Sequence, residues 1–180
     1  MTGTGPFLWL SKKGSPFGFY DVPPNGMCIS AFLFVTRGKE ILLGKYADSP
    51  EWERLAGLEP ERRRAHAKGW TIPASQVKFG EEPRAAGKRI AEEMLGLTGL
   101  RLRELAPESD SYVPVRFPEL GMHYDIWFLY EAEAPADLHL GRPQWYNELD
   151  FCDPAKLNEA DYSRSHKDVV DRWLKARAPK

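Results

Sequence analysis

Residues 28–35 are rich in β-branched and aromatic side chains, and Arg37-Gly38 separates them from a second such run, Glu40 to Tyr46. Two short apolar runs around a glycine-containing break predict a β-hairpin. Residues 48–68 turn to Asp, Glu, Arg and Ala with breaks at Pro50 and Pro60, which predicts one or two short helical pieces ending in Glu61-Arg62-Arg63-Arg64. Trp70-Thr71-Ile72-Pro73 reads as a short strand stopped by proline. The strongest helix pattern covers 83–96, with Pro83 in the first turn, Glu81 and Glu82 at the positive end of its dipole, and Gly96 at its stop. Leu100 to Leu105, Ser111 to Phe117, Met122 to Glu131 and Gln144 to Phe151 read as further strands, and Asp161 to Ala178 as a closing helix with Val169, Val170, Trp173 and Leu174 on one side. Strands, helix, strands, helix is the order of an α/β protein whose mixed sheet lies between helices.

The first 26 residues depart from this pattern. Glycines and prolines alternate there with Phe7, Trp9, Phe17, Phe19 and Tyr20, which predicts an irregular arm packed on the domain by aromatic anchors. Residues 27–180 then form a single domain, because 180 residues support one core. Apolar residues at 42% and charged residues at 28% argue against a disordered chain and against a membrane protein. The longest apolar run, Met27 to Val35, is about half of a bilayer span. No basic region followed by a hydrophobic stretch opens the chain, so the expected location is cytoplasmic. With 25 basic and 26 acidic side chains the net charge is -1, which leaves no strong nucleic-acid signal. Cys28 and Cys152 read as reduced core residues. His66, His123, His139 and His166 lie far apart without zinc-type spacing, which argues against a structural metal site.

Candidate chemistry concentrates in residues 70–97. Trp70-Thr71-Ile72-Pro73, Gly80-Glu81, Ala85-Ala86, Glu92-Glu93 and Gly96-Leu97 together resemble the Nudix box in order and approximate spacing. The family pattern runs Gly, five residues, Glu, seven residues, then Arg-Glu-apolar-x-Glu-Glu-x-Gly-apolar. More loosely, the likeness extends to a hairpin before the box, strands after it, Trp145 and a C-terminal helix. It implies a Nudix-type α/β/α sandwich with a helical insertion at about 48–68. It also implies a hydrolase that cleaves the diphosphate linkage of a nucleoside diphosphate derivative or related metabolite, using Mg2+ or Mn2+ to neutralise oxygens and activate water. The partner implied is a small-molecule diphosphate or nucleotide, with a homodimer in keeping with the fold.

Two alignments of the box are open. Counting without gaps from Glu81 places Arg89 on the box arginine but Ile90 and Met94 on positions that should be carboxylates. A gapped count aligns Glu92-Glu93 with the paired acids and puts Lys88 on the arginine and Arg89 on the first glutamate. At about 100° per residue, Ala86, Ile90, Met94 and Leu97 make one apolar stripe facing the sheet, which favours the gapped count. Arg89, Glu92 and Glu93 then occupy the catalytic positions, and Glu93, Glu92 and the Ala74 carbonyl the metal positions. One negative ligand has become a guanidinium, which cannot ligate a metal but can bind phosphate or neutralise Glu93. The second reading is accordingly a Nudix-fold binding or regulatory module without turnover.

Glu119, Glu131, Glu133 and Asp137 are candidates for an additional acid from a loop. Trp70, Lys88, Arg116 and Trp145 are candidates for substrate binding, with Tyr112 and Trp127 as further stacking residues and Arg101 and Arg103 as further phosphate partners. Each of these has an ordinary alternative as core or solvated surface. The Arg62-Arg63-Arg64 triplet is either a solvated helix face or a phosphate-reading element. Asp161 or Ser163 is expected to cap the last helix.

Overall fold

A computed structural model of the chain describes residues 26–114, 118–164 and 166–177, leaving aside the side chains of Ala65 and His66. The expected N-terminal arm therefore lies outside the described residues. The hairpin is present as β1 (Met27–Arg37) and β2 (Glu40–Tyr46), closed with Arg37 opposite Glu40. Two short helices follow, α1 (Glu51–Ala56) and α2 (Pro60–His66), then β3 (Ala74–Gln76). The main helix is α3 (Pro83–Arg89), continued by a π-helical turn over Ile90–Met94 and stopped at Gly96, whose φ of 69° suits glycine. After it come β4 (Arg103–Glu104), β5 (Glu108–Tyr112), β6 (His123–Glu133), β7 (Tyr146–Cys152) and α4 (His166–Arg177).

The strands form one mixed sheet in the order β4-β6-β1-β2-β7, with β3 added to β1 and β5 added to β6. β1 and β6 run parallel in a long register from Met27 opposite Tyr124 to Thr36 opposite Glu133. Alternate residues of β1 serve the two faces. Leu33 and Val35 join Trp52, Ile90, Met94 and Tyr130 under α1 and α3, whereas Phe32 and Phe34 join Leu129, Val170 and Trp173 under α4. Phe34 stacks on Trp173 with ring centroids 4.9 Å apart. This is the expected α/β/α sandwich.

Local detail departs from the sequence pattern in four places. The Trp70–Pro73 strand is reduced to isolated bridges at Trp70 and Thr71, and the true strand begins at Ala74. β5 starts three residues earlier than expected, because Glu108 to Tyr112 pair with Trp127 back to His123. The last helix starts at His166 rather than Asp161. Asp161 instead closes a capping box with Asn158 around a 3-10 turn, accepting the Asn158 N–H at 2.8 Å. Both cysteines are free, but they sit half-buried at the margin of the core rather than inside it.

Candidate functional site

The loop between β3 and α3 is organised by one side chain. Arg89 donates from Nε and Nη2 to the two carboxylate oxygens of Glu81, at 2.7 and 2.9 Å. Its Nη1 also donates to Ser75 Oγ at 3.0 Å and to the Leu55 carbonyl at 3.3 Å, and Nη2 to the Gln76 carbonyl at 3.0 Å. The guanidinium thus ties α1, β3 and the loop together, with only 8% of its side chain exposed. Burial pushes the Glu81 carboxyl upward, but hydrogen bonds from Arg89 and the Lys78 N–H and the Arg89 charge outweigh it and hold Glu81 below the usual carboxylate range.

This pair fits the ungapped count: Glu81 and Arg89 meet across seven intervening residues, the spacing at which Arg89 stands on the box arginine. Its donors are spent on Glu81, Ser75 and two carbonyls instead of pointing at a ligand. Ile90 and Met94, which that count sets at two of the three acid positions, are both fully buried in the core. The stripe Ala86, Ile90, Met94, Leu97 is present as expected, but Ala91 and Leu95 are buried beside it. A π-turn carries an extra residue in its hydrogen-bonded ring, so neighbouring positions share the inward face and burial at Ile90 cannot discriminate between the alignments. Gly87 sits where an added Cβ would meet Tyr130 at 2.8 Å, which sets the close approach of α3 to β6.

Glu93 remains a carboxylate, and its partner is an arginine. Arg54 of α1 donates from Nη1 to Glu93 at 3.2 Å and from Nε to Glu51 at 3.1 Å. Neutralisation of Glu93 by a guanidinium therefore occurs, but through Arg54 and not Arg89. Glu92 is exposed, and Ala74 is buried opposite Phe32 in the β1–β3 ladder. Beside them is a cleft of about 280 Å³, lined among others by Arg54, Leu55, Gln76, Val77, Lys78 and Phe79. Glu92 and Glu93 are not among its lining residues.

Solved structures share this fold. The MutT protein from Methanosarcina mazei Go1 superposes with a TM-score of 0.56 at 15% identity, covering 85% of this chain and 96% of that one. The NUDIX domain of Shewanella oneidensis NrtR, complexed with ADP ribose, gives 0.53 at 11% identity, covering 92% and 95%. A C. elegans Ap4A hydrolase gives 0.51 at 20% identity, covering 84% and 99%. This chain has the Nudix fold. No family model matches the sequence, and no curated protein matches it.

On this Nudix fold the candidate loop acids among the described residues are engaged elsewhere or exposed. Glu131 lies on the α4 face, where it accepts from Trp173 Nε1 at 2.8 Å and pairs with Arg103 and Arg177. Glu119, Glu133 and Asp137 are exposed. Among the described residues, neither Glu92 nor Glu93 belongs to a group of three acid, histidine or cysteine side chains close enough to hold an ion. A hard divalent cation needs several converging oxygens, and this donor set does not fit one.

The candidate binding residues are dispersed. Trp145 donates from Nε1 to the Met94 carbonyl at 2.9 Å, and its own carbonyl accepts from Trp52 Nε1 at 2.8 Å, so it ties the π-turn to α1. Trp70 is half-buried on the opposite core, with the Lys45 ammonium 4.5 Å above its ring. Trp127 is buried in that core. Lys88 and Arg101 are exposed, and Arg116 lies outside the described residues. Arg63 is buried against Asp48 at 2.7 Å, so the arginine triplet is partly structural. Sequence reasoning missed Arg54, Lys78 and Phe79 as cleft residues. Only the 89% exposed Phe79, an aromatic between a strand and a helix, carried a local signal.

Proposed function

We propose that this chain is a Nudix-fold binding module for a nucleotide or related phosphorylated metabolite, without metal-dependent hydrolysis of it. The observation that carries this reading is the loss of carboxylates from the box helix: Ile90 and Met94 are buried, and Glu93 is paired with Arg54. Hydrolysis at phosphorus by the family route needs cations held by several oxygens, and two of the three helix positions offer none. The cleft has what an anionic, partly planar ligand requires. Arg54 and Lys78 supply cations for phosphate, and the exposed Phe79 ring supplies a stacking face. The ADP ribose bound by the NrtR domain supports that ligand class. Arg89 and Trp145 act as positioning residues that hold the cleft walls, and Lys88 is a further cation on the exposed side of α3.

Calorimetric titration with ADP-ribose and ADP, in magnesium and in EDTA, tests this reading beside chromatographic detection of cleaved product. The expected result is binding that survives EDTA, no cleavage, and about 10-fold weaker binding in each of Arg54→Ala and Lys78→Ala. Magnesium-dependent cleavage that disappears in Glu93→Gln would overturn it in favour of a diphosphate hydrolase. That second reading has one observation on its side: Glu92 and Glu93 are both solvent-facing, and the Arg54 that holds Glu93 is itself exposed.

A further inference from the structure

The parallel pairing of β1 with β6 brings together three side chains that lie far apart in sequence. Cys28 is opposite Asp125 in the register, and His123 is two residues before Asp125 on the same strand face. Cys28 Sγ, one His123 ring nitrogen and one Asp125 carboxylate oxygen all lie within 4.8 Å of one another. His123 Nε2 is 3.2 Å from Asp125 Oδ1. Nitrogen and oxygen ligands of a tetrahedral zinc ion, each about 2.0–2.1 Å from the metal, stand about 3.3 Å apart, and the thiolate sulfur stands slightly farther from either.

The surroundings are those of ligands already held in place. Tyr112 of β5 donates its hydroxyl to Asp125 Oδ2 at 2.9 Å, leaving Oδ1 toward His123, and its ring meets the imidazole edge-on at 5.6 Å. Gln76 Nε2 donates to Cys28 Sγ at 3.6 Å, a contact that favours a thiolate. His123 and Asp125 side chains are each only 12% exposed. Burial and the Asp125 carboxylate push the Cys28 thiol up, the Arg62 guanidinium and the Gln76 hydrogen bond offset only part of this, and a bound cation would supply the charge that stabilises the thiolate.

We propose that Cys28, His123 and Asp125 form a binding site for a divalent transition-metal ion of the zinc type, with Tyr112 orienting the carboxylate. A sulfur, nitrogen and oxygen donor set suits a borderline-soft ion and excludes magnesium and calcium, which take oxygen ligands. On binding, the Cys28 Sγ–H proton passes to solvent as the sulfur–metal bond forms, and His123 and Asp125 contribute lone pairs. Three protein ligands leave the fourth tetrahedral position to water or a small ligand. None of these three residues belongs to the box-helix cleft, so the metal site stands or falls apart from the nucleotide reading.

Cobalt(II) titration of the metal-free full chain tests it. The expected result is saturation at one equivalent, with a thiolate-to-cobalt charge-transfer band and the intensified visible bands of four-coordination, both lost on adding zinc. Cys152→Ser retains this spectrum, and Cys28→Ser loses the charge-transfer band. Tyr112→Phe keeps the band and weakens affinity about 10-fold, as expected for a group that orients a ligand without touching the metal. Thermal unfolding of each metal-free variant separates lost ligation from lost fold. Should Cys28→Ser not fold, His123→Ala decides in the same way, with a loss of affinity beyond about 10-fold supporting the site. Absence of stoichiometric binding, a charge-transfer band that survives Cys28→Ser, or unchanged affinity in His123→Ala would overturn it.

Discussion

Two arginine–glutamate pairs flank the cleft and differ in nearly every physical respect. Arg89 and Glu81 are 8% and 14% exposed, joined by a two-pronged fork and surrounded by further hydrogen bonds to Ser75, Leu55 and Gln76. Arg54 and Glu93 are 58% and 46% exposed and joined by one hydrogen bond of 3.2 Å. A buried, fully bonded ion pair is costly to break because the surviving partner is left desolvated, whereas an exposed pair contributes little since water replaces either partner. The first pair therefore determines the shape of the loop. The second determines the charge at the cleft edge and can exchange partners.

Breaking the buried pair gives the largest expected effect. Arg89→Ala should destabilise the fold by about 3–5 kcal/mol in chemical denaturation, because Glu81 and two backbone carbonyls lose their donor. Arg89→Lys keeps the charge but cannot reproduce the fork, and a loss of about 2 kcal/mol in the same measurement is expected. The pH dependence sharpens the comparison further. Glu81 is held below the usual carboxylate range in the folded chain, so its contribution is fully present above the unfolded value and is lost as pH falls through the lowered folded value. Unfolding free energy measured from neutral to acid pH should drop over that interval, with a shallower slope in Glu81→Gln. Arg54→Ala gives the smallest change in stability, within about 0.5 kcal/mol. A substantial destabilisation by Arg54→Ala would show that the two pairs are not of different kinds.

How far the site could be read before folding is clearest at the box helix. Pro83 at the start, the inward stripe and the stop at Gly96 were all legible, because each depends on residues within a few turns of one another. The partners of the acids were not, since Glu81 meets Arg89 and Glu93 meets Arg54. The π-turn at Ile90–Met94 breaks the 100° rule on which the periodicity argument rests, and the bond from Trp145 that satisfies its last carbonyl comes from 51 residues away. The hairpin was equally legible, while β5 was displaced because its ladder with β6, rather than its own apolar content, defines it. Likewise Asp161 or Ser163 was expected to cap the last helix, whereas Asp161 is the inner partner of a capping box whose N-cap is Asn158, an outcome set by how the chain approaches α4.

What the sequence by itself determined is the set of local periodicities: the hairpin, the helical pieces between Pro50 and His66, the amphipathic box helix, the closing helix and, through them, an α/β sandwich. These follow from side-chain spacing against the fixed repeats of helix and strand. The tertiary structure alone decided the partners of the polar groups. Arg54 reaches Glu93, Trp145 reaches Met94, and Cys28 faces Asp125 across a parallel ladder, each over a separation along which sequence spacing carries no geometric information. Charged and polar chemistry acts over a few ångströms, and only the register of β1 on β6 and the seating of α1 beside the box helix bring those groups within that distance.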